Sequence, residues 1–205
     1  MHAAAPRQRD AQRDASRARV LDASAALFLE NGYAATTVRM IAERAMLSPA
    51  GVFTTFEDKA DILHHVRMAQ NAELRAEVER LAVELEGPAV ERVIALQRLV
   101  YTREWAHLPL VLAYIGASFS WGEETERAMQ AAHEGVFHAY RDIVEGGRAR
   151  GELRADLDPD VAVEIIHGIH LGNYRTGARR GWTAERTADH VEGKLRLLFE
   201  GFASR

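Results

Sequence analysis

The sequence predicts an all-α fold of about nine helices, and three observations carry that prediction. Apolar residues recur three and four positions apart through most of the 205 residues, the spacing that lines one face of a helix. Proline occurs only five times, whereas the helix formers Ala, Leu, Glu and Arg abound. No run alternates apolar and polar residues as a half-buried strand does, and no segment repeats.

The elements follow in order. In 15–31, Val20, Ser24, Leu27 and Phe28 share a face with Leu21 and Ala25 beside them, and Asn31-Gly32 closes the helix. Thr36 and Thr37 offer N-cap hydroxyls to a short helix over 38–44. Ala45-Met46-Leu47 is a tight connection. Ser48 is the next N-cap, with Pro49 at the first helical position, where its missing N–H costs nothing. This third helix ends near Thr55. Asp58 caps a fourth helix that runs from Lys59 toward Glu86 in one piece.

Gly87-Pro88 interrupts the pattern. Val90, Val93, Ile94, Gln97 and Tyr101 then mark a helix ending near Trp105. Leu108 to Phe119 is almost wholly apolar, which reads as a buried helix or helix pair. Over 123–150, Met129, His133, Val136, Phe137, Tyr140 and Val144 form a stripe, and Gly151 stops it. Asp158-Pro159 starts a helix reaching about Thr176, and 177–181 reads as a polar loop. The last helix, 183–202, carries Val191, Leu195, Leu198 and Phe202 in register.

Composition narrows the class further. Hydrophobic residues make up 47%, enough for a sizeable core, and no run of 18 apolar residues suggests a membrane span. The basic N-terminus is not followed by an apolar stretch, so no secretory signal is expected and the expected compartment is the cytoplasm. The absence of cysteine excludes disulfides and thiolate metal sites. No cofactor is expected.

Three short helices with a three-residue turn before the third describe a helix-turn-helix, whose second helix crosses the DNA backbone while the third enters the major groove. Ala42 is small where the helices cross, and Val38, Ile41, Leu47 and Val52 lock the pair, with Phe28 and Phe56 completing the core. Residues 19–63 resemble the TetR family of repressors. The resemblance rests on Leu27-Phe28, Glu30, Gly32-Tyr33, Thr36-Thr37-Val38, Ile41-Ala42, Phe53, Phe56 and Lys59. It implies an N-terminal helix-turn-helix DNA-binding domain (residues 1–63) and a C-terminal helical ligand-binding and dimerisation domain (residues 64–205). It also implies a homodimer on a double-stranded, near-palindromic operator, released by a small-molecule effector.

Three features depart from the family pattern. The turn usually reads Ala-Gly-Val and here reads Ala45-Met46-Leu47, so a positive φ at Met46 costs roughly 1 kcal/mol. Phe53 and Thr55 stand where a Tyr or His is usual, and Phe53 has no hydroxyl to offer a phosphate. Pro49, Ala50 and Gly51 give the recognition helix no cationic head, so a bidentate Arg–guanine pair is excluded from it. Base reading then falls to Gly51 and Thr54, with close approach by Ala50. The expected phosphate contacts are Thr37, Arg39, Ser48, Thr55 and Lys59. The chain's net charge of −4 hides a basic start: Arg7, Arg9, Arg13, Arg17 and Arg19 stand against Asp10 and Asp14. That segment reads either as an arm along phosphates or as a solvated tail.

In the second region, Trp105, Tyr114, Phe119, His133, Phe137, Tyr140, His170 and Tyr174 are the residues expected to line an effector pocket, against the alternative of plain core packing. His167 and His170 stand three apart, a spacing compatible with metal, but no metal site is expected. The dimer seam is drawn through Ile165, Gly168, Ile169 and Gly172 on one helix and Val191, Leu195, Leu198 and Phe202 on the last, the alternative being an intramolecular core. Rival readings are a helical-bundle enzyme or metal protein, on the single Glu164-x-x-His167 pair, and a DNA-binding adaptor without a ligand. No nucleophile elbow, zinc-peptidase motif or phosphate loop supports an enzyme.

Overall fold

The computed structural model describes residues 4–203, with side chains from Asp10 onward. The helices are α1 (Ala4–Asn31), α2 (Val38–Arg44), α3 (Pro49–Val52), α4 (Lys59–Gln70), α5 (Ala72–Glu84) and α6 (Ala89–Glu104). A 3-10 turn (Trp105–His107) then leads into α7 (Leu108–Ser118), α8 (Glu123–Ala149), α9 (Pro159–Arg180) and α10 (Ala184–Phe202). The fold is all-α as expected. Among the described residues, extended backbone pairs only in the isolated bridge between Leu153 and Ala203.

Four boundaries differ from the sequence reading, the smallest being α3, which ends at Val52 rather than near Thr55 because residues 53–55 form turns. The first helix begins at Ala4 rather than near residue 15, and the side chains of Arg7 and Arg9 lie outside the described residues. The long fourth helix divides at Asn71 into α4 and α5. Gly177 is not in a loop but buried inside α9, which runs on to Gly181. A Cβ at Gly177 would lie 2.5 Å from Cη2 of Trp105. The glycine is there to admit the indole, so it does not punctuate the chain.

The chain packs as two compact units. One runs to Gln70 and takes in Pro109–Trp121; the other holds Asn71–Leu108 and everything from Gly122 on. In the first, Val20, Ala23, Leu27 and Phe28 of α1 meet Ile41 and Ala42 of α2, Val52 of α3, Phe56, and Ile62, Leu63 and Val66 of α4. Leu110 of α7 is buried in this same core. Thr36 and Thr37 divide their work. Thr36 is buried and its hydroxyl lies 3.1 Å from the Leu27 carbonyl and 2.9 Å from that of Gly32. Thr37 caps α2, accepting the Met40 N–H at 3.2 Å.

In the second unit, α6 packs against α5, α8 and α10, and α9 against α8 and α10. Sequence signals start and stop these helices. Asp158 accepts the Asp160 N–H at 2.9 Å with Pro159 at the first helical position. Gly181 ends α9 at φ 63°, and Thr183 caps α10. Only the C-terminal half of the α8 stripe is fully buried, at Tyr140, Ile143 and Val144.

Candidate functional site

The turn between α2 and α3 sets the pose of the recognition helix. The Leu47 N–H reaches back to the Ala42 carbonyl at 2.9 Å, and the Met46 N–H to that of Glu43 at 3.1 Å. This is a Schellman closure, which needs its penultimate residue in the left-handed region. Met46 is there, at φ 55°, the one positive-φ residue other than glycine among the described residues, and its side chain is 82% exposed. Ser48 then caps α3 by accepting the Gly51 N–H at 3.1 Å. Val52 and Phe56 anchor the inner side of α3 and the turn that follows.

The outer side carries the residues expected to read DNA. Ser48, Ala50, Phe53 and Thr54 are exposed, and Gly51 and Thr55 are half-buried. The Thr54 hydroxyl donates to the Gly51 carbonyl at 2.6 Å, which leaves its lone pairs and methyl facing outward. A Cβ on Gly51 would meet nothing closer than Ser48 Oγ at 3.4 Å, so internal packing does not demand a glycine there. Arg39 and Thr37 are exposed on the first turn of α2. Arg39 makes no hydrogen bond or ion pair among the described residues.

Lys59 sits differently from a free phosphate clamp. Its ammonium donates to the carbonyls of Tyr33 and Thr36, both at 2.9 Å, and stands 4.3 Å over the Tyr33 ring. Two of its three N–H groups therefore tie α4 to the α1–α2 connection. Arg17, not singled out in the sequence beyond its place in the basic segment, does similar work. Its guanidinium lies 4.7 Å from the Phe56 ring centre and donates to the Thr55 carbonyl at 3.3 Å. No local sequence pattern marks that role, because the partner is 38 residues away.

The second unit gathers six of the eight residues expected at an effector pocket: Trp105, His133, Phe137, Tyr140, His170 and Tyr174. Tyr174 packs against His170 at 4.9 Å and Tyr101 at 5.0 Å, with Trp105 stacked at 6.4 Å. His167 continues the series to Phe137 at 5.2 Å, and Phe137 to His133 at 6.3 Å. Polar atoms order the cluster. His170 Nδ1 lies 2.7 Å from Gln97 Oε1, and Gln97 Nε2 donates to the Tyr140 hydroxyl at 3.0 Å. An amide so oriented requires the proton on His170 Nδ1. Burial pushes the His170 imidazole down to about 4, so it is neutral near pH 7. Burial also lowers His167 and raises the Tyr101 and Tyr140 hydroxyls.

Gln97, Tyr101 and Glu104 were not expected in this cluster. A signal for Gln97 existed, since it is a polar residue on an apolar helix face. Tyr114 and Phe119 belong to the other unit, where the Tyr114 hydroxyl meets His64 Nδ1 at 3.3 Å and its ring meets Trp121 at 4.8 Å. Phe119 is 89% exposed.

Of the residues on the expected dimer seam, Val191, Leu195 and Phe202 are buried within the chain itself, where α10 packs against α6 and α9. The outward residues are Val161, Ile165, Gly168 and Gly172 on α9 and Gly193 and Leu197 on α10, with Ile169 and Leu198 half-buried.

Residues 20–66 match the family model for bacterial regulatory proteins of the tetR family. The chain is 29% identical over 157 residues, 73% of each protein, to the uncharacterized HTH-type transcriptional regulator YdeS of Bacillus subtilis. It is 24% identical over 180 residues to the HTH-type transcriptional regulator SrpR of Pseudomonas putida, covering 84% of this chain and 80% of SrpR. Among solved structures, Thermus thermophilus FadR, a TetR-family repressor in complex with lauroyl-CoA, aligns with a TM-score of 0.72 and 26% identity over 92% of this chain and 96% of that one. Bacillus subtilis FadR in complex with stearoyl-CoA shares the fold, with a TM-score of 0.69 and 18% identity over 86% and 96% of the two chains. A helix-turn-helix built on its own core and matched by the tetR-family model over residues 20–66, with relatives named as regulators across most of its length, makes this chain a transcriptional regulator with a TetR-type helix-turn-helix.

Proposed function

We infer that the protein is a repressor that binds a near-palindromic operator as a homodimer and is released by a small-molecule effector. The observation that carries the DNA half is the outer side of α3. It exposes Ser48, Ala50, Phe53 and Thr54, and leaves at Gly51 a glycine that internal packing does not require. A surface this small and uncharged suits close approach to base edges, with Thr54 as the polar reader. Arg39 supplies a cation for phosphate that makes no hydrogen bond or ion pair among the described residues, whereas two donors of Lys59 are already engaged. The outward apolar positions Val161, Ile165 and Leu197 support self-association. A two-fold dimer sets recognition helices about 34–36 Å apart, on successive turns of one face of the duplex.

For the effector, the cluster around Tyr101, Trp105, His170 and Tyr174 is aromatic, buried at Tyr101 and Tyr174, half-buried at Trp105 and His170, and uncharged at His170, which suits the apolar chain of a ligand. The similarity to a repressor holding lauroyl-CoA supports a long-chain acyl thioester. Mobility-shift titrations on the DNA flanking the protein's own coding region test both halves. The expected result is a salt-sensitive, sequence-specific complex that lauroyl-CoA dissolves. Binding that is indifferent to sequence refutes the operator reading, and a complex unmoved by lauroyl-CoA refutes the effector class.

A further inference from the structure

The first helix runs well past the core it serves. Val20 is the first residue of α1 buried in that core, so residues 4–19 precede it, about 24 Å of helix at 1.5 Å per residue. From Asp10 to Arg19 every residue is exposed except Ser16 and Arg17, which are half-buried. Ala, Arg and Gln dominate these turns, and such residues favour a helix without needing a core. Arg17 fixes where the segment lies. Its guanidinium donates to the Thr55 carbonyl at 3.3 Å and covers the Phe56 ring. The chain that α1 meets there is the turn that follows α3, one residue after the exposed Thr54. Arg13 stands four residues before Arg17 in the same row of the helix, about 6 Å further along it. It is exposed and makes no hydrogen bond or ion pair among the described residues. Asp10 and Asp14 stand one row round and pair with no arginine among the described residues, and Arg19 donates to Ser16 Oγ at 3.2 Å.

We propose that the N-terminal turns of α1 are a second DNA-contact element, in which Arg13 neutralises a backbone phosphate beside the bases that α3 reads. The proposal rests on the operator reading above and extends its footprint. Position and charge both point to DNA. The arginine row starts at the residue bonded to Thr55, next to the reader Thr54, so a duplex held against α3 runs past it. Residues 1–19 hold five arginines against two aspartates, in a chain whose net charge is −4. That excess is complementary to a phosphate backbone. The fold itself makes no use of Arg13, which neither covers the core nor holds a carboxylate among the described residues. A contact of this kind adds affinity without base preference. A segment that is already helical also loses less conformational freedom on binding than an unstructured arm.

The test uses the full chain, the DNA flanking its own coding region, and a scrambled duplex of the same length. Affinities are measured across a range of salt for wild type, Arg13→Gln, Arg13→Lys and Arg154→Gln. Arg154 is exposed in the other unit and supplies the same change of net charge outside the helix-turn-helix. In Arg13→Gln the slope of log affinity against log salt should fall by about 0.9 per protomer on both duplexes, leaving the ratio between them within about twofold. Arg13→Lys should keep the wild-type slope, because counterion release counts charge. Hydroxyl-radical cleavage of the wild-type complex gives a readout that no misfolded variant can spoil. Protection should reach sugars adjoining the half-sites mapped by base substitution, and in Arg13→Gln those sugars should be cleaved while the half-sites stay protected. Equal slopes in wild type and Arg13→Gln, an equal fall in Arg154→Gln, or wild-type protection that ends at the half-sites overturns this element alone. A wild type that forms no sequence-specific complex overturns the operator reading, and the element falls with it.

Discussion

Replacing Met46 by glycine should stabilise the protein, and the structure gives the size of the gain. Met46 is held at φ 55° by the Schellman closure between α2 and α3, with Leu47 bonded to Ala42 and Met46 to Glu43. An L-residue in the left-handed region costs about 1–2 kcal/mol. Glycine removes that penalty and brings back about 0.5–1 kcal/mol of backbone entropy cost. The side chain is 82% exposed, so its removal forfeits almost no burial. The balance is a gain of about 0.5–1 kcal/mol, or roughly 1–4 °C in Tm. Urea unfolding followed by circular dichroism reads it directly. Met46→Asn should give an intermediate gain, because asparagine tolerates this conformation. Met46→Ala should give almost none, because it keeps the Cβ. If alanine stabilised as much as glycine, the gain would come from losing an exposed apolar side chain, and the strain argument would be wrong. A neutral or destabilising glycine would refute it outright.

Arg39→Ala should weaken binding to every DNA sequence alike and reduce the slope of log affinity against log salt by about one, whereas Thr54→Ala should flatten base preference. Unchanged operator preference in Thr54→Ala would remove the reader assigned to α3. His170 titrates with a worked sign. Its folded value, about 4, lies below the ordinary value of 6.5, so the unfolded chain takes up its proton first. The His170 contribution to stability is full above about pH 6.5 and is lost as the pH falls toward 4. His170→Gln should therefore show a smaller drop in unfolding free energy between about pH 7.5 and 4.5, by on the order of 1–3 kcal/mol; equal drops refute the assignment. Gly177→Ala places a Cβ 2.5 Å from Trp105 Cη2 and 2.6 Å from Thr187 Oγ1, and should cost about 1–3 kcal/mol by thermal unfolding. Leu197→Glu should convert a dimer to a monomer in light scattering without loss of helicity, while Val83→Glu, also exposed but on α5, should not; dimers in both would move the interface elsewhere.

Legibility followed the range of the interactions. The short helices of the first unit were readable because local chemistry places them: Thr37 and Ser48 cap within three residues, Pro49 sits at a first helical position, and Gly32 ends α1. The strain at Met46 was legible from the resemblance, since the family places a glycine at that point of the turn and this sequence a methionine.

What lay beyond reach was decided by partners distant in sequence. Periodicity marked the apolar stripe of α10 but not which body it packs on, and Val191, Leu195 and Phe202 are buried in the same chain, where α10 packs on α6 and α9. Lys59 was visible as a cation; only the fold shows it bonded to carbonyls 23 and 26 residues away. Gly177 looked like a loop residue until the Trp105 ring was found against it. The break at Asn71 is tied to Glu104, 33 residues on. The sequence alone therefore determined the helical class, the helix-turn-helix and its caps, since these rest on contacts within one turn. Tertiary structure decided which faces are inside, which polar side chains are already engaged, and which residues share the aromatic cluster, because those depend on chain segments that meet only on folding.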